Sequence, residues 1–329
     1  MARGATKLVI VCANVQPGET ALILTDDKQD FRLAKALTSA LLAAGALSTT
    51  VVMAQVKTDS GEPSKTVIAA MLAADVIFTP VSVSITHTHA VKNACAAGSR
   101  IVVLTQWTPK MMMGGGIEAD FSAIEPRVRE VAKWWDRGES VHVTTKAGTD
   151  LTLDIRGRLG SPHAKTGIVR KGDFHPVPDI ESPVSPVAAE GRIVCDASIP
   201  YLGIGIPDQP VILEVGDGNV ISIKGGVAAQ KVRESWESMN DPKVYNIAEL
   251  GVGMNPHCRL IGLMLEDEGV ANTCHIGVGT SITLGGTVKA SSHYDFIMHR
   301  PTITIDGKTL MDQGDLTVPL PEVDGGVSA

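Results

Sequence analysis

The stretch from Glu249 to Asp295 holds the densest set of metal-ligating residue types in the chain: NIAELGVGMNPHCR, the acidic LEDEG, NTCHIGVG and LGGTVKASSHYDF. His293 and Asp295 are two residues apart. In a strand, positions i and i+2 face the same way, so both side chains can reach one ion. Imidazole and carboxylate donors suit Zn²⁺, Mn²⁺ or Fe²⁺ at roughly 2.0–2.2 Å and need no thiolate. An acid-rich set can also hold two ions about 3.5–4 Å apart across a shared carboxylate, which turns a bound water into hydroxide near neutral pH. Glycines flank these residues and permit close backbone approach. His-x-Asp alone is a weak pattern. In a chain with nine histidines, any one of them is more often a core or surface residue, and on spacing alone the two readings stand about even.

Other residues carry weaker signals. His87 and His89 alternate as neighbours on one strand face would. They follow DVIFTP, at the expected C-terminal edge of a parallel sheet, where ligands often bind; a cleft-lining role and a capping or surface role both remain open. Gly114, Gly116 and Ala119 fit G-x-G-x-x-A. However, Pro109 and Met111–Met113 separate them from the preceding strand, which is the last of its sheet rather than the first, so a nucleotide site is not expected. The Met111–Gly116 segment reads as a surface loop rather than a lid. Glu266, Asp267 and Glu268 read as a solvated turn. His257–Cys258 and Cys274–His275 match no zinc knuckle spacing.

The elements that must position these residues fall into two textures. Up to about Gly138, short β-branched runs (Leu8–Ala13, Ala21–Asp26, Thr49–Ala54, Asp75–Pro80, Arg100–Thr105) alternate with helical stretches such as Phe31–Ala44 and Ser64–Ala73. That alternation predicts an α/β domain, residues 1–138, with a parallel sheet covered on both faces and a closing helix over Ile124–Trp135. Residues 139–329 predict a mixed α+β, largely antiparallel domain. It would comprise a hairpin of Val141–Thr145 and Asp150–Ile155, a Pro- and Gly-rich segment from 157 to about 186, strands at Gly191–Asp196, Val211–Val215 and Val220–Lys224, a helix over Arg233–Met239, and a last hairpin around Asp306–Gly307.

Composition limits the function classes. The chain has 329 residues, 44% hydrophobic and 20% charged, with a net charge of −7. It lacks a basic stripe, so nucleic acid is not an expected partner. Five scattered cysteines suggest no disulfide framework, and with no leader pattern at the N-terminus a cytoplasmic location is expected. The uncharged run Ala36–Ala54 is broken by Gly45 and reads as a helix followed by a strand, so no membrane association is expected.

Residues 140–315 resemble the aminopeptidase T-like metallo-aminopeptidases. The matching strings are TKAGTDLTLDIRGR, PDIESPVSPVAAEG, NIAELGVGMNP, LEDEG, CHIGVG, SSHYDF and PTITIDGKTLMDQG. The resemblance implies metal ligands at Glu181, Glu249, His275, His293 and Asp295, holding one or two divalent ions (Zn, Mn or Fe), with Glu181 or Glu249 moving the proton. It also implies a homo-oligomer. Where that family carries a Tyr seven residues after the ligand His, this chain has Ile282. The same stretch is similar to the 2,5-dihydroxypyridine dioxygenases, non-haem iron enzymes with a His at the position of Glu249. The carboxylate-rich set here favours a metal-dependent hydrolase acting on an amide of a small molecule or short peptide, with ring-cleaving oxygenation at Fe(II) as the alternative. His87, His89 and Ile282 are the expected substrate-facing residues.

Overall fold

The computed structural model describes residues 1–318; residues 319–329, the end of the second expected domain, lie outside the described residues. The first half is built on a parallel sheet. Its strands lie in the order Leu47–Met53, Thr20–Asp26, Val76–Thr79, Arg100–Val103 and Phe174–Pro176. Every neighbouring pair in it is parallel. Three helices connect these strands, each opened by a side chain that accepts from a first-turn backbone N–H: Asp30 caps Phe31–Ala43, Ser64 caps Lys65–Leu72 and Thr88 caps His89–Ala96. Gly45, with φ +78°, turns the chain after the first helix into Leu47–Met53. No helix among the described residues is long and apolar enough to cross a membrane.

Two expectations are corrected here. Leu8–Ala13 is not a strand: Ala2–Lys7 is helical and continues into a wide turn over Leu8–Cys12, closed by Ala13 N–H donating to Leu8 O at 2.9 Å. Leu8, Val9 and Cys12 are buried while Ile10 and Val11 are exposed, a helical spacing. A short apolar run does not distinguish a strand from a buried helix, and here burial against the Phe31–Ala43 helix decided it. The fifth place in the parallel sheet goes instead to Phe174–Pro176, from beyond the expected boundary at residue 138.

The second half is mixed and mainly antiparallel. An eight-stranded sheet contains the Ser140–Thr144/Asp150–Asp154 hairpin and the Thr302–Ile305/Lys308–Asp312 hairpin. A separate four-stranded sheet runs His293–His299, Thr273–Gly279, Ile247–Gly253, Glu181–Val184, antiparallel throughout. The helix expected at Arg233–Met239 begins earlier and spans Gly226–Ser238, because Ala229, Val232 and Trp236 form one buried stripe.

The helix Phe121–Arg137 braces the edge of the four-stranded sheet. Its fully buried Trp135 donates from Nε1 to Ser182 Oγ at 3.0 Å, next to Glu181. Trp135→Ala is therefore expected to cost about 3–5 kcal/mol by leaving a cavity beneath that strand. Urea unfolding measures it, and a loss under about 1 kcal/mol would mean that the helix does not anchor the edge strand.

Candidate metal centre

Glu181, Glu249, His275, His293 and Asp295 all stand on the four-stranded sheet. Glu181 opens one edge strand, Glu249 and His275 lie on the two central strands, and His293 and Asp295 begin the other edge strand. The period of two puts all five on one face. The residues between them, Leu250, Val252, Ile276, Val278 and Phe296, are buried in the core behind. Cross-strand pairing sets each of three charged side chains beside a glycine: Glu249 and Asp295 both pair with Gly277, and His275 pairs with Gly251. A Cβ added at Gly251 would stand 2.0 Å from His275 Nε2, and one at Gly277 would stand 2.6 Å from His293 Nε2. The strings ELGVG and HIGVG thus encode ligand, core and open space at successive positions.

The donor atoms converge without pairing as ordinary hydrogen bonds. His275 Nε2 lies 3.1 Å from Glu181 Oε2 and 3.8 Å from Glu249 Oε1. His293 Nε2 lies 3.1 Å from Glu249 Oε2 and 3.3 Å from Asp295 Oδ1. Ligands 2.0–2.2 Å from one ion stand roughly 3.0–3.5 Å from each other. Among the described residues, Glu181 Oε2 and Asp295 Oδ1 are buried with no hydrogen-bond partner. Two triads, Glu181–Glu249–His275 and Glu249–His293–Asp295, each bring three donor atoms within 4.8 Å. The residues fit a divalent cation, and Glu249 belongs to both triads.

The electrostatics agree. Burial pushes both imidazoles towards neutrality, but the carboxylates around them more than reverse it and hold His275 and His293 well above the ordinary histidine value. Glu249 is held down to about 2: burial raises it, and His275 and His293 outweigh the burial. Asp295 is also held low, chiefly by His293 against the opposing burial. Burial, with Glu249 as a second cause, raises Glu181. A buried face with more carboxylates than imidazoles calls for a cation.

The cavity over this face draws its other wall from the parallel-sheet half. His87 lies there, its ring centroid 4.4 Å from that of His293 and its Nδ1 against Thr283 Oγ1. Burial, reinforced by His293, lowers His87 to about 3, so the ring is neutral at ordinary pH. His89 does not join it: it is exposed at the start of the His89–Ala96 helix, where its backbone N–H donates to Glu62. Ile282 is half-buried in the turn before Leu284 and is not among the residues lining the cavity, whereas Leu284 is.

Several residues at the site went unread in the sequence. Tyr201 donates its hydroxyl to Asp295 Oδ2 at 2.7 Å and lies 3.2 Å from Glu268 Oε1. Lys165 is fully buried, its backbone N–H donates to Glu181 O at 2.9 Å, and its Nζ donates to Phe174 O at 2.9 Å and lies 3.3 Å from Asp173 Oδ1. Asp59 and Asp179 also line the cavity. The one available signal, LEDEG, was misread, because Glu266, Asp267 and Glu268 are not a solvated turn. All three are buried: Asp267 accepts from Ser198 and from the backbone N–H of Ile261 and Gly262, and Glu266 accepts from Gly116 N–H at 3.0 Å. Besides the local Ile261 and Gly262, their partners come from distant segments, at Gly116, Ser198 and Tyr201. The same contact corrects the Met111–Gly116 loop, in which Met111, Met112 and Gly116 are buried and only Met113 is well exposed.

Comparison with known proteins identifies the scaffold. The family model described as NicX, 2,5-dihydroxypyridine 5,6-dioxygenase, matches residues 4–318. A 2,5-dihydroxypyridine 5,6-dioxygenase of Pseudomonas putida KT2440 is 26% identical over 200 residues, covering 56% of this chain. That match covers 55% of the relative, about half its length. The solved structure of 2,5-dihydroxypyridine dioxygenase from the same organism superposes with a TM-score of 0.78 at 20% identity, covering 97% of this chain and 98% of the other. Wild-type AmpT from Thermus thermophilus superposes with a TM-score of 0.67 at 15% identity, covering 96% and 98%. Both structures share the fold. The family match overturns the expected aminopeptidase T-like hydrolase. Four of the strings behind that expectation supply the strands of the four-stranded sheet, and imidazole and carboxylate donors serve either chemistry, so Glu249 in place of a histidine does not separate them.

Proposed function

Because the chain belongs to the 2,5-dihydroxypyridine 5,6-dioxygenase family, we propose that it is a metal-dependent dioxygenase that opens the ring of a hydroxylated pyridine or a similar hydroxylated aromatic. The observation that carries this reading is the buried set Glu249, His293 and Asp295 at the floor of a cavity whose facing wall holds the neutral His87. These three side chains would hold Fe(II), with His275 and Glu181 as further donors around the shared Glu249. What Fe(II) supplies when bound is one-electron and dioxygen chemistry, which side chains lack.

The chain's own residues would do the rest. Phe174, Pro176, Leu265 and Leu284 offer apolar walls to a flat ring and keep water out. His87, oriented by Thr283, would hydrogen-bond a ring hydroxyl and turn it towards the donor cluster. Lys165, which lines the cavity and pairs with Asp173, would offer its ammonium to an anionic oxygen of the substrate or of the ring-opened acid. Tyr201, bridging Asp295 and Glu268, would hold the Asp295 carboxylate in one orientation.

The test is oxygen uptake. Protein loaded anaerobically with Fe(II) is expected to consume dioxygen in equal amount with 2,5-dihydroxypyridine and to bleach the ring's ultraviolet absorbance. Prior chelation should stop both. If iron-loaded protein consumed no oxygen with any dihydroxylated pyridine or hydroxylated aromatic offered, the reading would fall.

A further inference from the structure

We infer that Asp59 is a catalytic base of this site, taking the proton of a ring hydroxyl as the substrate settles against the donor cluster; the inference rests on the ring-cleaving reading above. Asp59 lies in the turn that follows the edge strand Leu47–Met53 of the parallel sheet, and it lines the cavity together with His87, His293 and Asp295. Its side chain belongs to a residue that is 6% exposed. Oδ1 accepts from Ser60 Oγ at 3.0 Å, while the buried Oδ2 has no partner among the described residues. A buried carboxylate oxygen left without a donor is costly, so its presence in the wall of a cavity points to a donor that arrives with a ligand.

The turn is held firmly. Ser60 N–H donates to Ser84 O at 2.9 Å, and Gly61 N–H to Thr58 O at 3.0 Å. Lys289, from the other half of the molecule, donates to Ser60 O at 3.3 Å and to His87 O at 2.9 Å, which ties the Asp59 turn to the His87 turn. Ser60 itself has φ +61°, a left-handed conformation that a non-glycine residue keeps only where its surroundings impose it.

The charges around Asp59 suit the role. His293 and Asp295 face it from the sheet, Lys289 from the preceding loop, and the Tyr201 and Tyr294 hydroxyls lie within its field. Burial raises the Asp59 carboxyl to about 7, against the pull of His293. His87, on the same wall, already has its Nδ1 engaged with Thr283 Oγ1. A base works best near the operating pH. In the step, the hydroxyl O–H bond breaks and the proton passes to Asp59 Oδ2. The electron pair stays on the ring oxygen, which then faces the donor cluster as an anion.

The experiment compares Asp59→Asn with wild type in the iron-loaded enzyme, using 2,5-dihydroxypyridine. Oxygen uptake by wild type comes first, since its absence sinks the ring-cleaving reading itself. Given uptake, Asp59→Asn is expected to lower kcat about 100-fold and to erase the limb of the pH–rate profile near neutrality, with iron content and melting temperature unchanged. Without oxygen, the ultraviolet shift of hydroxyl ionisation on binding should appear in wild type and be missing in the variant. A variant within threefold of wild type, with the same pH limb and the same ionisation shift, overturns the role of Asp59. If Asp59→Asn binds less iron or melts early, Asp59→Glu and Asp59→Ala decide. A faster Glu variant that shows the ionisation shift supports the role, and equal rates with no shift in either overturn it.

Discussion

Gly251→Ala is expected to weaken metal binding sharply while every donor side chain remains in the protein. The added Cβ would stand 2.0 Å from His275 Nε2, 2.3 Å from Cε1 and 2.7 Å from Glu181 Oε2. Gly251 is not among the positive-φ glycines, so its strand backbone accepts alanine without torsional strain. The conflict is confined to the ligand space. Its neighbours Leu250 and Val252 point into the core behind and are untouched. Relief requires the imidazole to swing away or the strands to part, which is an overpacking cost of about 1–3 kcal/mol. Iron affinity should fall at least ~100-fold, beyond the range seen for loss of supporting residues around a metal, and oxygen uptake should fall with it. Titration of the metal-free variant with Fe(II), beside circular dichroism, reads both. Affinity within threefold of wild type would show that an ion does not use the space above Gly251.

Glu249→Ala removes the opposite thing: it leaves space and takes charge. Glu249 Oε2 lies 3.1 Å from His293 Nε2 and Oε1 lies 3.8 Å from His275 Nε2, so one substitution strips a donor from both triads. Activity should drop by about three orders of magnitude or more, since loss of a direct ligand exceeds the ~10–100-fold typical of outer residues. A second readout separates metal binding from folding. A ligand at a thousandfold its Kd stabilises the native state by ~4 kcal/mol, so chelating wild type should lower its melting temperature by several degrees. In Glu249→Ala the chelator should change nothing. A chelator-sensitive melting temperature in this variant would show that the ion is held elsewhere.

In the sequence, spacing singled out only His293 and Asp295, and the other three donors entered through resemblance; the structure gives the glycine-spaced strings their meaning. In AELGVG and CHIGVG a donor, a core residue and a glycine recur with the period of a strand, and that period alone sends donors to one face and Leu250, Val252, Ile276 and Val278 to the other. The parallel sheet was legible in four of its strands, each an apolar run bounded by turns. Leu8–Ala13 failed because its pattern suits a buried helix equally well, and Phe174–Pro176 went unnoticed because three residues carry no periodicity.

What the chain by itself determined is therefore narrower: His293 and Asp295 as one pair on one strand face, a matter of local geometry, with Glu181, Glu249 and His275 added only by family resemblance. Tertiary structure alone decided what surrounds them. Asp59, His87 and Lys165 reach the cavity from three different segments, and Tyr201 and Glu268 meet at Asp295 only once the sheet has formed. The acidic run Glu266–Glu268 has the composition of a solvated turn, yet it is buried because its acceptors find donors at Gly116, Ser198 and Tyr201. The class of reaction belongs to neither category, since the family match and not the donor set or the fold set the hydrolase aside. Carboxylate and imidazole donors accommodate hydrolysis or oxygen chemistry alike, and the shape and charge of the cavity over them, set by long-range contacts, govern which substrate arrives.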